Sequence, residues 1–192
     1  MIRIAVVGDI ASGKSHVAKL FGCPVFNADS EVATLYRQDR RCYTKLKKVL
    51  PSYINSFPIK KKRLFSAILA NKSNLKKIVK IVHPIIRKKM HTFIKKNKNK
   101  KIIVLDIPLL FENKINRKND VIIFVDANKK KIKKKLSKRD NFSLKIVKRL
   151  KKLQLPLETK RKKSDFVIKN NFKNNSAKKS VKIILKKILS NA

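Results

Sequence analysis

Gly8-Asp9-Ile10-Ala11-Ser12-Gly13-Lys14-Ser15 is a complete G-x-x-x-x-G-K-[ST] loop. It follows a short apolar run, Ile4-Ala5-Val6-Val7, and leads into a helix-compatible stretch, Val17-Ala18-Lys19-Leu20. A strand therefore delivers the chain to the loop, and the loop opens a helix whose first N–H groups point at an anion. Gly8 and Gly13 let the backbone close around phosphate oxygens where a Cβ would intrude. Lys14 can reach the β- and γ-phosphates of a nucleoside triphosphate, and the Ser15 hydroxyl can ligate Mg²⁺. The chain holds 3 glycines, and two of them stand at the spacing this loop demands. ATP and Mg²⁺ are the expected ligands, with Gly8, Ala11, Ser12, Gly13, Lys14, Ser15 and His16 around the phosphates and Ser15 on the metal.

With 192 residues, 43% of them hydrophobic, the chain can bury a substantial core as one domain. No apolar stretch approaches the length that spans a bilayer, so no membrane partner is expected. The apolar N-terminal run is short and ends in the phosphate loop rather than a cleavage site, so no secretory signal is expected in it. Cys23 and Cys42 fit no metal spacing and read as reduced thiols of a cytoplasmic protein. The charge is extreme, 52 Lys and Arg against 11 Asp and Glu for a net +41. A basic nucleic-acid-binding face is one reading. The other is compositional bias, because the lysines are spread along the chain and accompany abundant Asn and Ile. Bias is favoured, leaving non-specific attraction to polyanions but no specific nucleic-acid partner.

Strands are expected at Ile2–Val7, Pro24–Phe26, Ile102–Asp106, Val121–Val125 and Phe166–Ile168. Between them helices are expected: one from about Gly13 to Leu20, and one capped by Ser30 and running to Arg37. Residues 40–100 are mostly helical in pattern, with a fresh helix start at Pro84 and an end near Asn97–Asn99. Later helices are expected from Lys129 to Lys138, from Asn141 or Ser143 to Gln154, and from Ser176 to Leu189. Strands alternating with helices predict an α/β fold, a parallel sheet covered on both faces.

In such a sheet, groups at the C-terminal ends of strands face one crevice. Three acids fall there. Asp29 follows the second strand, where it can orient an acceptor hydroxyl and take its proton. Asp106 can hold Mg²⁺ through water, or make a structural hydrogen bond. Asp126 reads as a helix cap. Arg139, between two helices, suits a lid that lowers a guanidinium onto the transferring phosphate. His83, before Pro84, is open between a buried structural role and a ligand contact.

In order along the chain stand the loop Gly8–Ser15, Ala28-Asp29, His83-Pro84-Ile85-Ile86, and Asp106-Ile107-Pro108-Leu109-Leu110-Phe111-Glu112. Arg139-Asp140, Gln154 and Asp165-Phe166-Val167-Ile168-Lys169-Asn170-Asn171 complete the series. Together they resemble the dephospho-CoA kinase family over essentially the whole chain. The loop alone is generic, whereas the His-Pro and Pro-Leu-Leu-Phe-Glu elements single out the family. The resemblance implies transfer of the ATP γ-phosphate to the ribose 3′-hydroxyl of dephospho-CoA, the last step of coenzyme A synthesis. It implies Asp29 as the carboxylate at that hydroxyl, with Lys14 and Arg139 as the catalytic cations. His83 and Pro108, Leu109, Leu110 and Glu112 would shape the acceptor site, and Asn170 and Asn171 would lie near the ATP base. The implied fold is a P-loop NTPase three-layer α/β/α domain spanning 1–192. Its core would cover about 1–30, 100–127 and 160–192, with a helical acceptor lobe over 31–99 and a helical lid over 128–159. Departures from the family pattern are Asp9 and His16 in or beside the loop, Asn27 where an acid is common, Lys60-Lys61, and Phe172 where glycine is common. Another small-molecule P-loop kinase, or a basic ATP-binding protein associated with nucleic acid, is the alternative.

Overall fold

A computed structural model describes residues 1–138 and 143–190. Among them the chain runs β1 (Ile2–Gly8), α1 (Lys14–Leu20), β2 (Val25–Asn27), α2 (Ala28–Gln38), α3 (Arg40–Val49), α4 (Lys61–Ala70) and α5 (Lys72–Lys96). It continues through β3 (Ile102–Asp106), β4 (Val121–Ala127), α6 (Lys129–Ser137), α7 (Leu144–Lys151), α8 (Leu157–Lys162), β5 (Phe166–Asn170) and α9 (Asn174–Ser190). The described residues form two compact units, one drawn from 1–27, 97–138 and 151–190, the other from 28–96 and 143–150.

The first unit is a parallel sheet in the order β2-β3-β1-β4-β5. The inner strands β1, β3 and β4 read as nearly unbroken apolar runs because both their faces are covered, whereas the edge strand β5 alternates, with Val167 and Lys169 exposed. On one face, Ile4 and Val6 of β1 pack with Val17, Ala18 and Phe21 of α1 and with Ala177, Val181, Ile184 and Ile188 of α9. Ala5 and Val7 point to the other face and are equally buried, with α8 against β1 on that side. The chain leaves β1 toward β2 on one flank, while β3 is followed by β4 on the other. The C-terminal end of β1 therefore lies at a topological switch point, where this class of sheet opens a crevice. The register sets Asp106 beside Val6 and Asn27, Gly8 beside Val125, and Asn170 beside Ala127.

In the second unit α5 is one continuous 25-residue helix with Pro84 inside it. The fresh helix start expected at Pro84 does not occur. Leu75, Ile78, Val82 and Met90 are buried along a face that crosses the proline, and this packing outweighs the hydrogen bond that proline cannot make. Asn74 Nδ2 donates to the Ala67 carbonyl at 2.9 Å, joining α5 to α4, and Lys89 pairs with Glu31 of α2 at 2.9 Å. Asp39 caps α3 by accepting from the Cys42 N–H at 2.7 Å.

Three further expectations are corrected. Ser30 is not a cap: α2 begins at Ala28, directly after β2, so Ser30 is already inside its first turn. The helix expected to reach Gln154 stops at Lys151, and a separate short helix, α8, starts after Pro156, whose ring favours a new first turn. Asp126 lies within β4 rather than capping α6. That cap is Asn128, whose Oδ1 accepts from the Lys130 N–H at 2.9 Å.

Candidate active site

The phosphate loop closes on itself. Gly8, Ala11 and Gly13 have φ of 149°, 63° and 91°, so the backbone reverses within a few residues. A Cβ on Gly8 would stand 2.6 Å from the Val125 carbonyl oxygen, and one on Gly13 would stand 2.2 Å from Asn170 Nδ2. Both glycines are therefore required by close approach as well as by conformation. Lys14 is buried, and its Nζ donates to the Asp9 carbonyl at 2.7 Å, which holds the ammonium over the curl of the loop. The Ser12 Oγ is buried and without a hydrogen-bond partner among the described residues. A buried hydroxyl in that state suits a cradle whose partner is a ligand oxygen.

Below the loop, three side chains from separate elements converge. Ser15 Oγ at the start of α1 donates to Asp106 Oδ2 at the end of β3. Asn27 Nδ2 at the end of β2 donates to that same carboxylate oxygen, and to Ser15 Oγ at 3.0 Å. Asp106 is 2% exposed, so it is a buried carboxylate, and both Ser15 and Asn27 donate to it. Hydroxyl and carboxylate oxygens together make the hard-donor set that Mg²⁺ prefers. Sequence reading noted Asn27 only as a departure from the family pattern. Its role was hidden because the pairing of β2 with β3 that brings it to Asp106 spans 79 residues.

The end of β5 supports the loop from its other side. Asn170 Nδ2 donates to the Ser12 carbonyl at 2.8 Å, and Asn170 Oδ1 accepts from the Phe172 N–H at 3.0 Å. Asn171 Oδ1 accepts from Ser176 Oγ at 2.7 Å and its carbonyl accepts from Lys131 Nζ at 3.1 Å. Phe172 sits at φ 61° with Lys135 Nζ 4.4 Å from its ring centre. His16 is exposed on the first turn of α1.

The segment after β3 is fixed from beneath. Lys160 of α8 is fully buried, and its Nζ reaches Glu112 Oε1 at 2.8 Å, the Pro108 carbonyl at 2.9 Å and Gln154 Oε1 at 3.4 Å. Glu112 Oε1 also accepts from the Leu155 N–H at 2.7 Å. Glu112 is thus a clamp for its own segment. Leu110 is completely buried, whereas Pro108 and Leu109 are partly exposed. Lys160 was not singled out from the sequence, because nothing distinguishes it among 52 cations.

In the second unit, Asp29 is exposed on the first turn of α2 and no described residue holds its carboxylate. His83 is half-buried within α5. The same unit carries an open depression of about 570 Å³ whose lining includes Arg40, Arg41, Lys89 and Asp39. Arg139 lies outside the described residues, as does Asp140.

The dephospho-CoA kinase family model matches residues 2–176. A dephospho-CoA kinase of Wolbachia pipientis is 35% identical over 170 residues, covering 86% of this chain and 87% of the relative. One from Zymomonas mobilis is 31% identical over 173 residues, covering 88% of each. A crystal structure of a Thermus thermophilus protein superposes with a TM-score of 0.73 at 26% identity, covering 99% of this chain and 97% of its own. With the loop folded on the switch point and the family pattern running through nearly the whole sequence, the chain belongs to the dephospho-CoA kinase family.

Proposed function

We infer that this chain phosphorylates the ribose 3′-hydroxyl of dephospho-CoA with ATP, giving coenzyme A. The observation that carries this reading is the family match over residues 2–176, in a chain whose Gly8–Ser15 loop is folded for phosphate. The reaction is written as a direct in-line transfer. The loop N–H groups and Lys14 hold the β- and γ-phosphates, and Lys14 exchanges its bond to the Asp9 carbonyl for phosphate oxygen. Ser15 and Asp106 would hold Mg²⁺, with Asn27 fixing the carboxylate that faces it. When bound, the metal neutralises charge on the β- and γ-phosphates.

Asp29 orients the acceptor hydroxyl and takes its proton as the oxygen attacks phosphorus. Its freedom from any described partner supports this, since a base must be open to substrate. Arg139 would act from a helical lid over 128–159, and His83 with the Pro108–Glu112 segment would shape the acceptor site. The Lys160 clamp supports the latter by fixing where that segment lies. Asn170 and Asn171 would stand beside the base. The helical acceptor lobe is placed at about 31–99. The reaction is assigned to the cytoplasm: both cysteines are free thiols, and no helix among the described residues is long and apolar enough to cross a membrane. No specific nucleic-acid partner is assigned.

The test is ADP release from Mg²⁺-ATP by purified protein, with and without dephospho-CoA at moderate salt. Release that depends on the acceptor, with coenzyme A as product, is the expected result. ATP binding without acceptor dependence would overturn the substrate assignment.

A further inference from the structure

Asp9 places a carboxylate in the second position of a loop built to hold polyanionic phosphate. Left free, that charge would oppose the ligand. It is not free: Asp9 is 6% exposed, its Oδ2 lies 2.8 Å from Lys151 Nζ, and its Oδ1 accepts from the Ile10 N–H at 2.7 Å. Its main-chain carbonyl meanwhile faces the loop and accepts from Lys14 Nζ at 2.7 Å. The residue therefore divides its polar atoms, with the carbonyl serving the loop cation and the side chain turned to a lysine 142 positions later.

The Lys151 side chain is 45% exposed. An ion pair whose lysine end is open to solvent adds little to folding stability, even with its carboxylate buried. Its effect on a ligand is another matter, because the phosphates meet either a neutral pair or a bare carboxylate across a short, poorly solvated distance. We propose that Lys151 is a positioning residue for the nucleotide, holding Asp9 neutralised and turned away so that an acid is tolerated in the phosphate loop. This rests on the loop being the ATP site, as inferred above, and not on the identity of the acceptor.

The experiment is a mutant cycle read by binding of ADP and ATP, using a fluorescent nucleotide displaced by each, with thermal melts of every variant. Lys151→Met is expected to weaken both nucleotides by about tenfold and to raise KM for ATP to match. Lys151→Arg should bind like the parent protein. Asp9→Asn/Lys151→Met should recover binding to within about twofold, because without the carboxylate there is nothing to neutralise. Undiminished binding by Lys151→Met would overturn the proposal. So would a double variant as weak as Lys151→Met, since Lys151 would then act on phosphate directly. If Lys151→Met fails to fold, Lys151→Gln in the same cycle supplies the neutral side chain. Binding needs no acceptor, so a failure of the dephospho-CoA assignment would leave this cycle's outcome untouched.

Discussion

The side-chain amide of Asn170 lies 2.8 Å from the Ser12 carbonyl oxygen, fastening the end of β5 to the phosphate loop. Gly13 is what admits it, because a Cβ there would fall 2.2 Å from Asn170 Nδ2. Gly13→Ala should therefore expel the amide and strain a backbone at φ 91°. The expected result is a stability loss of about 1–3 kcal/mol and nucleotide affinity reduced well beyond what that loss explains. Denaturant melts and ADP titration would measure the two separately. A variant that bound ADP normally would show that the loop tolerates losing this tie.

Lys160 sets a second test. Its ammonium is fully buried against Glu112, the Pro108 carbonyl and Gln154. Among the described residues, Lys160→Met would leave the Glu112 carboxylate buried with the Leu155 N–H as its hydrogen-bond donor. A loss of about 3–5 kcal/mol is expected, as for breaking any buried pair from one side. Glu112→Gln/Lys160→Met should recover a sizeable part of it, because no lone charge remains. Urea unfolding of the three variants decides this, and a silent Lys160→Met would mean that the site is hydrated.

Which of these features could be read from the residues follows from the range of the forces involved. β1, the loop and the parallel-sheet class were legible because a buried strand writes itself as a continuous apolar run and the loop is a local rule. The continuity of α5 through Pro84 was not, because tertiary packing of Leu75, Ile78, Val82 and Met90 decides it. Nor was the sheet order, which rests on pairings between distant segments. At the site, the positions of Lys14 and Ser15 on the loop were legible from the same local rule. Asn27, Lys151 and Lys160 were not, since their partners lie 79, 142 and 48 positions away and a lysine-rich chain gives none of its lysines a local mark.

As the proposed base, Asp29 should be the residue whose loss separates chemistry from binding. Asp29→Asn keeps the size and polarity of the side chain but cannot take a proton. Turnover should fall by about 10²–10⁴-fold while ATP affinity is retained. Initial rates at saturating dephospho-CoA, with ADP titration alongside, make the comparison. Near-normal turnover would remove Asp29 as the base.

Arg3 of β1 and Asp120 form a buried pair, with Nη2 donating to Oδ2 at 3.0 Å and Nε 2.9 Å from Oδ1. Burial pushes the Asp120 carboxyl up, against the pull of the Arg117 N–H and the Arg3 charge, and pushes the Arg3 guanidinium down. Both shifts disfavour the charged forms, so the pair stabilises little beyond offsetting its own desolvation. Asp120→Ala alone should cost about 3–5 kcal/mol, and Arg3→Met/Asp120→Leu should return most of it. Chemical denaturation midpoints test both, and additive losses in the double variant would show that the pair is more than self-cancelling.

The two thiols carry a pH prediction. Cys42 in α3 is fully buried, and burial, aided by the nearby Asp39 carboxylate, pushes its thiol up to about 11. Cys23 is half-buried, its thiol also raised by burial. At pH 8 a thiol titrating near 11 is ionised to only about one part in a thousand, and only the thiolate is alkylated. Iodoacetamide should therefore modify Cys23 first and leave Cys42 untouched until the protein unfolds. The sign for stability follows from the same shift. The folded chain keeps the Cys42 proton above pH 9, where an unfolded thiol gives it up, so this contribution is intact below pH 9 and is lost as pH rises toward 11. Mass-resolved alkylation across pH 7–11, with melts at each pH, reads both effects. Early labelling of Cys42 in the folded protein would show that α3 opens to solvent without global unfolding.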